Sequence, residues 1–299
     1  MATTKSFAEQ VADIKNAPIS KTAKKAELTK LGVTAYEIEV ILSDAISAVP
    51  TRHFDITFGV EMETFNVNRT IMLERARVNR LPVEYQSYNH TDGQKVFKFV
   101  ADGSIRNAHG EQDGGCIECV TPILKGQRGF HALEKACKTL NEAGARVNRT
   151  TGLHVHIGAA KLSAKAYVNV FINYQMMEEV IDSFMAYSRR GNNAFYSKSI
   201  RQYHYERCNN QQDVSNIMGG NRYHKVNPCS YSRHNTIEFR QHQGSTDYTK
   251  IKAWVNFCAK LVVWSRYNRL TEPISNIDNI PFLDDEEKAY FNARKIQLA

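Results

Sequence analysis

Along residues 54–65, FDITFGVEMETF, apolar and polar positions alternate with the period of two that marks a strand. Phe58, Val60 and Met62 fall on one face, and Gly59, Glu61 and Glu63 on the other. The same alternation runs over 95–105 (KVFKFVADGSI), over 151–159 (TGLHVHIGA) and over 235–243 (NTIEFRQHQ). A further strand is expected over 114–123 (GGCIECVTPI), closed by Pro122. Between these stretches the period becomes helical. Leu133, Ala136, Cys137 and Leu140 share one face of a helix that stops at Gly144. Ser163 caps a long helix whose stripe is Val170, Tyr174, Met177, Ile181 and Phe184. Ser245, Thr246 or Asp247 caps another, with Ile251, Trp254, Val255, Cys258, Leu261 and Val262 inward. Near the start, 6–17 and 21–47 predict short helices, with Ser20 as an N-cap, Gly32 as a break and Thr34 as a second cap.

These elements predict an α+β fold, a curved and mainly antiparallel sheet with helices on its convex face. Residues 1–50 form a helical extension and a candidate docking module for a protein partner, 51–270 a catalytic domain, and 271–299 a tail that ends in a short helix. Residues 66–96 separate the first strand from the next and have no assigned role. Residues 188–235 are polar, Asn-rich and aperiodic, too long for an idle connection and therefore a functional loop region.

Four strands share one rule, an apolar face opposite a face of ligand-binding groups. On the latter stand Glu61 and Glu63, then Cys116 and Glu118, then His154 and His156, then Glu238, Arg240 and His242. Two carboxylates about 7 Å apart on one strand face raise each other's pKa unless a cation joins them. That many carboxylates with an imidazole suit Mg²⁺ or Mn²⁺, hard ions that keep substrate phosphate in their shell. Arg240 stands two residues from Glu238, where a guanidinium fork meets phosphate oxygens. The cation expected beside Glu61 and Glu63 is thus a divalent metal carried in with ATP.

Composition changes this picture little. Hydrophobic content of 42% and charged content of 23% over 299 residues describe an ordinary globular chain. No apolar run reaches the roughly 20 residues that cross a bilayer, and the N-terminus lacks an apolar leader core, so no membrane association is expected. Scattered cysteines at 116, 119, 137, 208, 229 and 258 read as reduced thiols in a cytoplasmic protein. The formal charge of +8 is uneven. Residues 189–225 carry Arg189, Arg190, Lys198, Arg201, Arg207, Arg222 and Lys225 against Glu206 and Asp213. Such a stretch holds nucleic acid, a polyphosphate or an acidic substrate, or is a solvated loop. Two other functions therefore stand beside an ATP enzyme. One is a zinc hydrolase built on His154 and His156. The other is a non-enzymatic nucleic-acid-binding protein built on the basic loop and the N-terminal helices.

The motifs FGVEMETF, VADGSI, IECVTP, TGLHVHIG, SRRGNNAFY, RYHKVN and TIEFRQHQGSTD, followed by KIKAWVNFCAKLV, occur in the order seen in the amidoligase family. The resemblance covers about 54 to 265 and implies an ATP-dependent carboxylate–amine ligase related to glutamine synthetase and glutamate–cysteine ligase, with a catalytic domain like that of glutamine synthetase. It implies an acyl phosphate made from ATP and a carboxylate, then displacement of phosphate by an amine. By resemblance Glu61, Glu63, Glu118 and Glu238 look like metal ligands, joined by His154 or His156, with His154 preferred. Arg240 looks like the phosphate contact. Arg189, Arg222, Lys225 and Asn227 would line the substrate carboxylate or the ATP phosphates, and Asp102 and Ser104 the pocket of the accepting amine. The partners implied are small-molecule or peptide acids and amines. Ser197 stands where the resemblance suggests cysteine, and His242 has no assigned role.

Overall fold

The computed structural model describes residues 7–33, 38, 42, 56–86 and 95–299. It begins with two short helices, α1 (Phe7–Asn16) and α2 (Lys21–Lys30). Ser20 caps α2 as expected, its Oγ accepting from the Ala23 N–H at 3.2 Å, and Gly32 breaks the chain at φ +84°. The expected cap Thr34 and the end of the extension near Pro50 lie outside the described residues.

The centre is one open, mostly antiparallel sheet. Its strands are β1 (Thr57–Thr64), β2 (Val83–Gln86), β3 (Phe97–Ala101), β4 (Ile117–Val120), β5 (Leu124–Lys125), β6 (Leu153–Gly158), β7 (Val226–Asn227) and β8 (Thr236–Phe239). Their spatial order is β2-β3-β4-β1-β6-β8-β7, with β5 also paired to β1. Among the described residues, β2–β3 is the one parallel pairing between these strands. The helix α8 (Tyr248–Trp264) packs against both α4 (Gly126–Glu142) and α5 (Ala164–Ser183) and directly on β6. Phe58, Val60 and Met62 of β1 meet Leu153, Val155 and Ile157 of β6 and Ile237 and Phe239 of β8 in one continuous core. Phe58 stacks on Phe130 of α4 with ring centroids 4.8 Å apart.

The α+β architecture expected from the periodicities is present, with shorter elements at several places. The last strand covers 236–239 rather than 235–243, and Arg240 and Gln241 run on without ladder partners in a named strand. Within 66–96 the chain forms α3 (Arg69–Val78), capped by Asn68 and burying Met72 and Ala76. The region 188–235 is not one long loop. It holds 3₁₀ turns at Tyr187–Arg189 and Tyr205–Arg207, α6 (Gln211–Ile217), strand β7 and α7 (Ser230–His234). The tail ends in α9 (Asp285–Gln297), opened by a reciprocal capping box between Asp284 and Glu287. Tyr290, Phe291 and Ala293 of α9 join the core, and α1 packs against it. The first described residues and the last are therefore tied to the same body.

Candidate active site

The register of the sheet explains why the polar faces converge. Glu61 lies opposite Val120 and His154, Glu63 opposite Glu118, and His156 opposite Gly59 and Glu238. Cross-strand partners stand about 4.5–5.5 Å apart, so a polar residue on each of four adjacent strands makes one cluster. That cluster floors a cleft of about 1760 Å³. The apolar residues of the same strands join the core with residues of α4 and α8.

Hydrogen bonds fix the floor. His154 Nδ1 lies 2.9 Å from Glu61 Oε2, and its Nε2 lies 3.5 Å from Glu63 Oε1. His156 Nδ1 is joined to Thr236 Oγ1 at 2.9 Å. Its Nε2 stands 3.3 Å from Glu61 Oε1 and 4.0 Å from Glu238 Oε1, yet it is buried and makes no aligned hydrogen bond. Glu63 Oε2 accepts from the Gly152 N–H at 2.6 Å. A side chain at Gly152 would put Cβ 3.0 Å from His154 Nε2 and 3.4 Å from Glu63 Oε2, so the glycine of TGL lets the backbone approach this pair. Glu238 accepts from Arg240 Nη1 and from the Asn227 amide.

The charges are unequal. Burial pushes the Glu61 carboxyl up, but the imidazoles of His154 and His156 beside it more than reverse this and hold it well below the usual range. Burial likewise opposes ionisation of Glu238, and Arg240 and His156 overcome it, leaving a pKa of about 2. Glu118 goes the other way. Burial, then the charges of Glu61, Glu63 and Asp102, push it well above the usual range. Among the described residues three overlapping sets bring ligand atoms within 4.8 Å of one another: Glu61–His156–Glu238, Glu61–Glu118–His154 and Glu63–Asp102–Glu118. The donors suit a divalent cation on two counts. His156 has one nitrogen anchored by Thr236 and the other buried without a hydrogen bond, the posture of a ligating imidazole. Glu118 meets anionic neighbours that a bound cation would neutralise.

A family model described as "Putative amidoligase enzyme" matches residues 55–262, more than half of the chain. The chain belongs to the amidoligase family. It is accordingly an enzyme of the ligase type. No curated protein matches it significantly. Among the described residues no helix is long and apolar enough to cross a membrane.

In this amidoligase the six expected metal ligands, Glu61, Glu63, Glu118, His154, His156 and Glu238, all face the cleft. Arg240 and Asn227 join them through Glu238. Asp102 and Ser104 sit at the end of β3, where the Ser104 N–H and Oγ–H both donate to Asp102 Oδ1 at 2.6 Å. Arg189 is buried in the wall, its Nη2 donating to the Thr151 carbonyl, and Arg222 also lines the cleft. Lys225 departs from the expected place. Its ammonium is fully buried away from the cleft, donating to Glu178 Oε1 at 2.9 Å and Asp182 Oδ1 at 2.6 Å on α5. Cys116 also leaves the ligand face, because β4 begins one residue later and the thiol packs with Phe65 and Ile105.

His242 is likewise outside the cleft, its ring 5.8 Å from Trp254 of α8 and its Nδ1 donating to the Gln243 carbonyl at 2.6 Å. The alternation that would have kept it beside Arg240 ends with β8. Burial, with smaller repulsion from Arg294, Lys250 and Arg189, lowers its pKa to about 3. The unfolded chain takes up this proton near pH 6.5 and the folded one does not. Stability is therefore lost as pH falls from about 6.5 toward 3, and His242→Gln should flatten that loss in urea midpoints measured between roughly pH 7 and pH 4.

Three groups escaped the sequence reading. Lys98 of β3 is buried in the cleft wall and shares strand parity with Asp102, a signal present in KVFKFVAD. Thr236 orients His156, and its parity with Glu238 also marked it. Phe195, Tyr196 and Tyr223 line the cleft from irregular segments, where periodicity carries no signal.

Proposed function

We propose that this amidoligase uses ATP to join a carboxylate to an amine through an acyl phosphate. The observation that carries the reading is the cluster of Glu61, Glu63, Glu118, His154, His156 and Glu238 on one sheet face beside Arg240. Glu61, Glu238 and His156 would hold one Mg²⁺ or Mn²⁺, and Glu63 and Glu118 a second. Bound there, the ions would offset phosphate charge and lower the cost of bringing an anionic acid to ATP. His154, with both nitrogens turned to Glu61 and Glu63, would orient those carboxylates rather than ligate.

Arg240 is placed by Glu238 and by its Nε bond to the Tyr196 carbonyl at 3.3 Å, leaving the guanidinium beside the cluster for phosphate oxygens. The acid's oxygen attacks the γ-phosphorus and ADP leaves. The amine nitrogen then attacks the acyl carbon, phosphate leaves, and the nitrogen gives up a proton. Asp102, held by Ser104 close to Glu63 and Glu118, would bind an ammonium and receive that proton. The remaining work is positioning and charge stabilisation. A cleft of about 1760 Å³ exceeds the roughly 300–1,000 Å³ of a pocket for one small ligand, which suits a nucleotide and two co-substrates held together.

The experiment is chemical trapping. With MgATP, a pool of acids and hydroxylamine in place of the amine, an acyl phosphate yields a hydroxamate. None forms if phosphate is simply hydrolysed from ATP. Arg240→Lys should cut that yield by about 100-fold or more, because a single ammonium does not reproduce a two-pronged contact. Yield at the parent level would remove Arg240 from the phosphate.

A further inference from the structure

The NNAFYSKS segment forms a feature that metal and phosphate chemistry leave unused. Phe195 is 65% exposed and Tyr196 45% exposed, and both line the cleft. With Tyr223 they make a cluster, with ring centroids 5.0 Å apart for Phe195–Tyr196, 5.0 Å for Tyr196–Tyr223 and 5.8 Å for Phe195–Tyr223. Hydrogen bonds from the backbone hold it in place. Lys198 N–H donates to the Tyr223 carbonyl, Lys225 N–H to the Lys198 carbonyl, and Ser199 N–H to Asn192 Oδ1, each at 2.9 Å. An aromatic wall kept open this firmly is pre-organised for a ligand.

We infer that Phe195, Tyr196 and Tyr223 form the subsite for the purine base of the nucleotide. The inference rests on the ATP-dependent reading above and adds where the base lies. Three observations select a base over the other substrates. The Tyr196 carbonyl accepts from Arg240 Nε, so the aromatic wall adjoins the guanidinium assigned to phosphate. Lys198 Nζ lies 5.7 Å from the Phe195 centroid and the Arg222 guanidinium 5.5 Å from that of Tyr223. Those cations repel an ammonium, which removes the accepting amine as occupant of these ring faces. A small carboxylate has no flat apolar face to cover Phe195. A purine nucleotide has both a π-face for the rings and anionic oxygens for Arg222 and Arg240, and the buried Arg222 Nε has no other hydrogen-bond partner.

The test is calorimetric binding of MgATP and of magnesium tripolyphosphate to the parent, Phe195→Ala and Phe195→Trp proteins. Phe195 is exposed, so neither substitution disturbs the core. The subsite predicts that Phe195→Ala weakens MgATP roughly 5- to 100-fold and leaves tripolyphosphate unchanged. It also predicts that Phe195→Trp restores MgATP affinity, with its indole fluorescence quenched by the base. If Phe195→Ala binds MgATP as the parent does, the base lies elsewhere and this inference falls while the ligase reading stands. Equal weakening of both ligands would also overturn it, since the rings would then act through the phosphates alone. If the parent binds no MgATP, the ligase reading falls and this inference with it.

Discussion

Glu61→Gln is expected to abolish ATP turnover while the protein stays folded. Glu61 sits at the middle of the cluster, 2.9 Å from His154 Nδ1 and 3.3 Å from His156 Nε2, and belongs to two of the three candidate ligand sets. The amide keeps the size and one acceptor but loses the charge that a hard cation requires. Losing one preorganised electrostatic contact costs about 100- to 1,000-fold in such sites, and losing a charged metal ligand should cost at least that. The fold should survive because the side chain faces the cleft and fills no part of the core. Circular dichroism and a melting curve establish the fold, and coupled ADP release reads the turnover. Parent-level turnover in a folded Glu61→Gln protein would remove Glu61 from the metal and with it the assignment of the whole face.

Lys225→Met is expected to be the most destabilising of the substitutions considered. The ammonium is fully buried and is a hydrogen-bond donor to both Glu178 and Asp182. Removing one partner of a buried ion pair leaves uncompensated charge and costs about 3–5 kcal/mol. The damage should reach the cleft, because Asp182 also accepts from the Gly191 N–H at 2.8 Å and from the Gln241 amide, and Gln241 in turn contacts the Arg189 carbonyl. Urea midpoints would register the loss, and Glu178→Gln added to Lys225→Met should recover part of it by removing one stranded charge. A loss below about 1 kcal/mol would mean that water reaches the three groups and that they are not a buried network.

The cleft floor was legible in the sequence because sheet geometry turns a one-dimensional alternation into a face. Glu61, Glu63, Glu118, His154, His156 and Glu238 could be assigned to one side of their strands by parity alone, and the antiparallel register then brought them opposite one another. Parity failed where the strands stop. His242 lies beyond the end of β8, so counting by twos put it in a cleft that it does not line. Lys225, placed there by resemblance alone, precedes β7 and is buried against α5. Helix α3 was hidden because its charged sequence, RTIMLERARV, buries only Met72 and Ala76, too narrow a stripe to stand out. The aromatic wall was invisible for a different reason: Tyr223 meets Phe195 and Tyr196 through tertiary packing of two irregular segments, which no local pattern encodes.

The measurement that bears most directly on the central claim is release of ADP and phosphate from MgATP, with and without pooled acids, amines and short peptides. The account predicts release that depends on one acid and one amine together, with a product heavier than the acid and containing both. No nucleotide consumption with any pool, together with tightly bound zinc in the purified protein, would contradict it and make His154 and His156 the centre of a hydrolase instead.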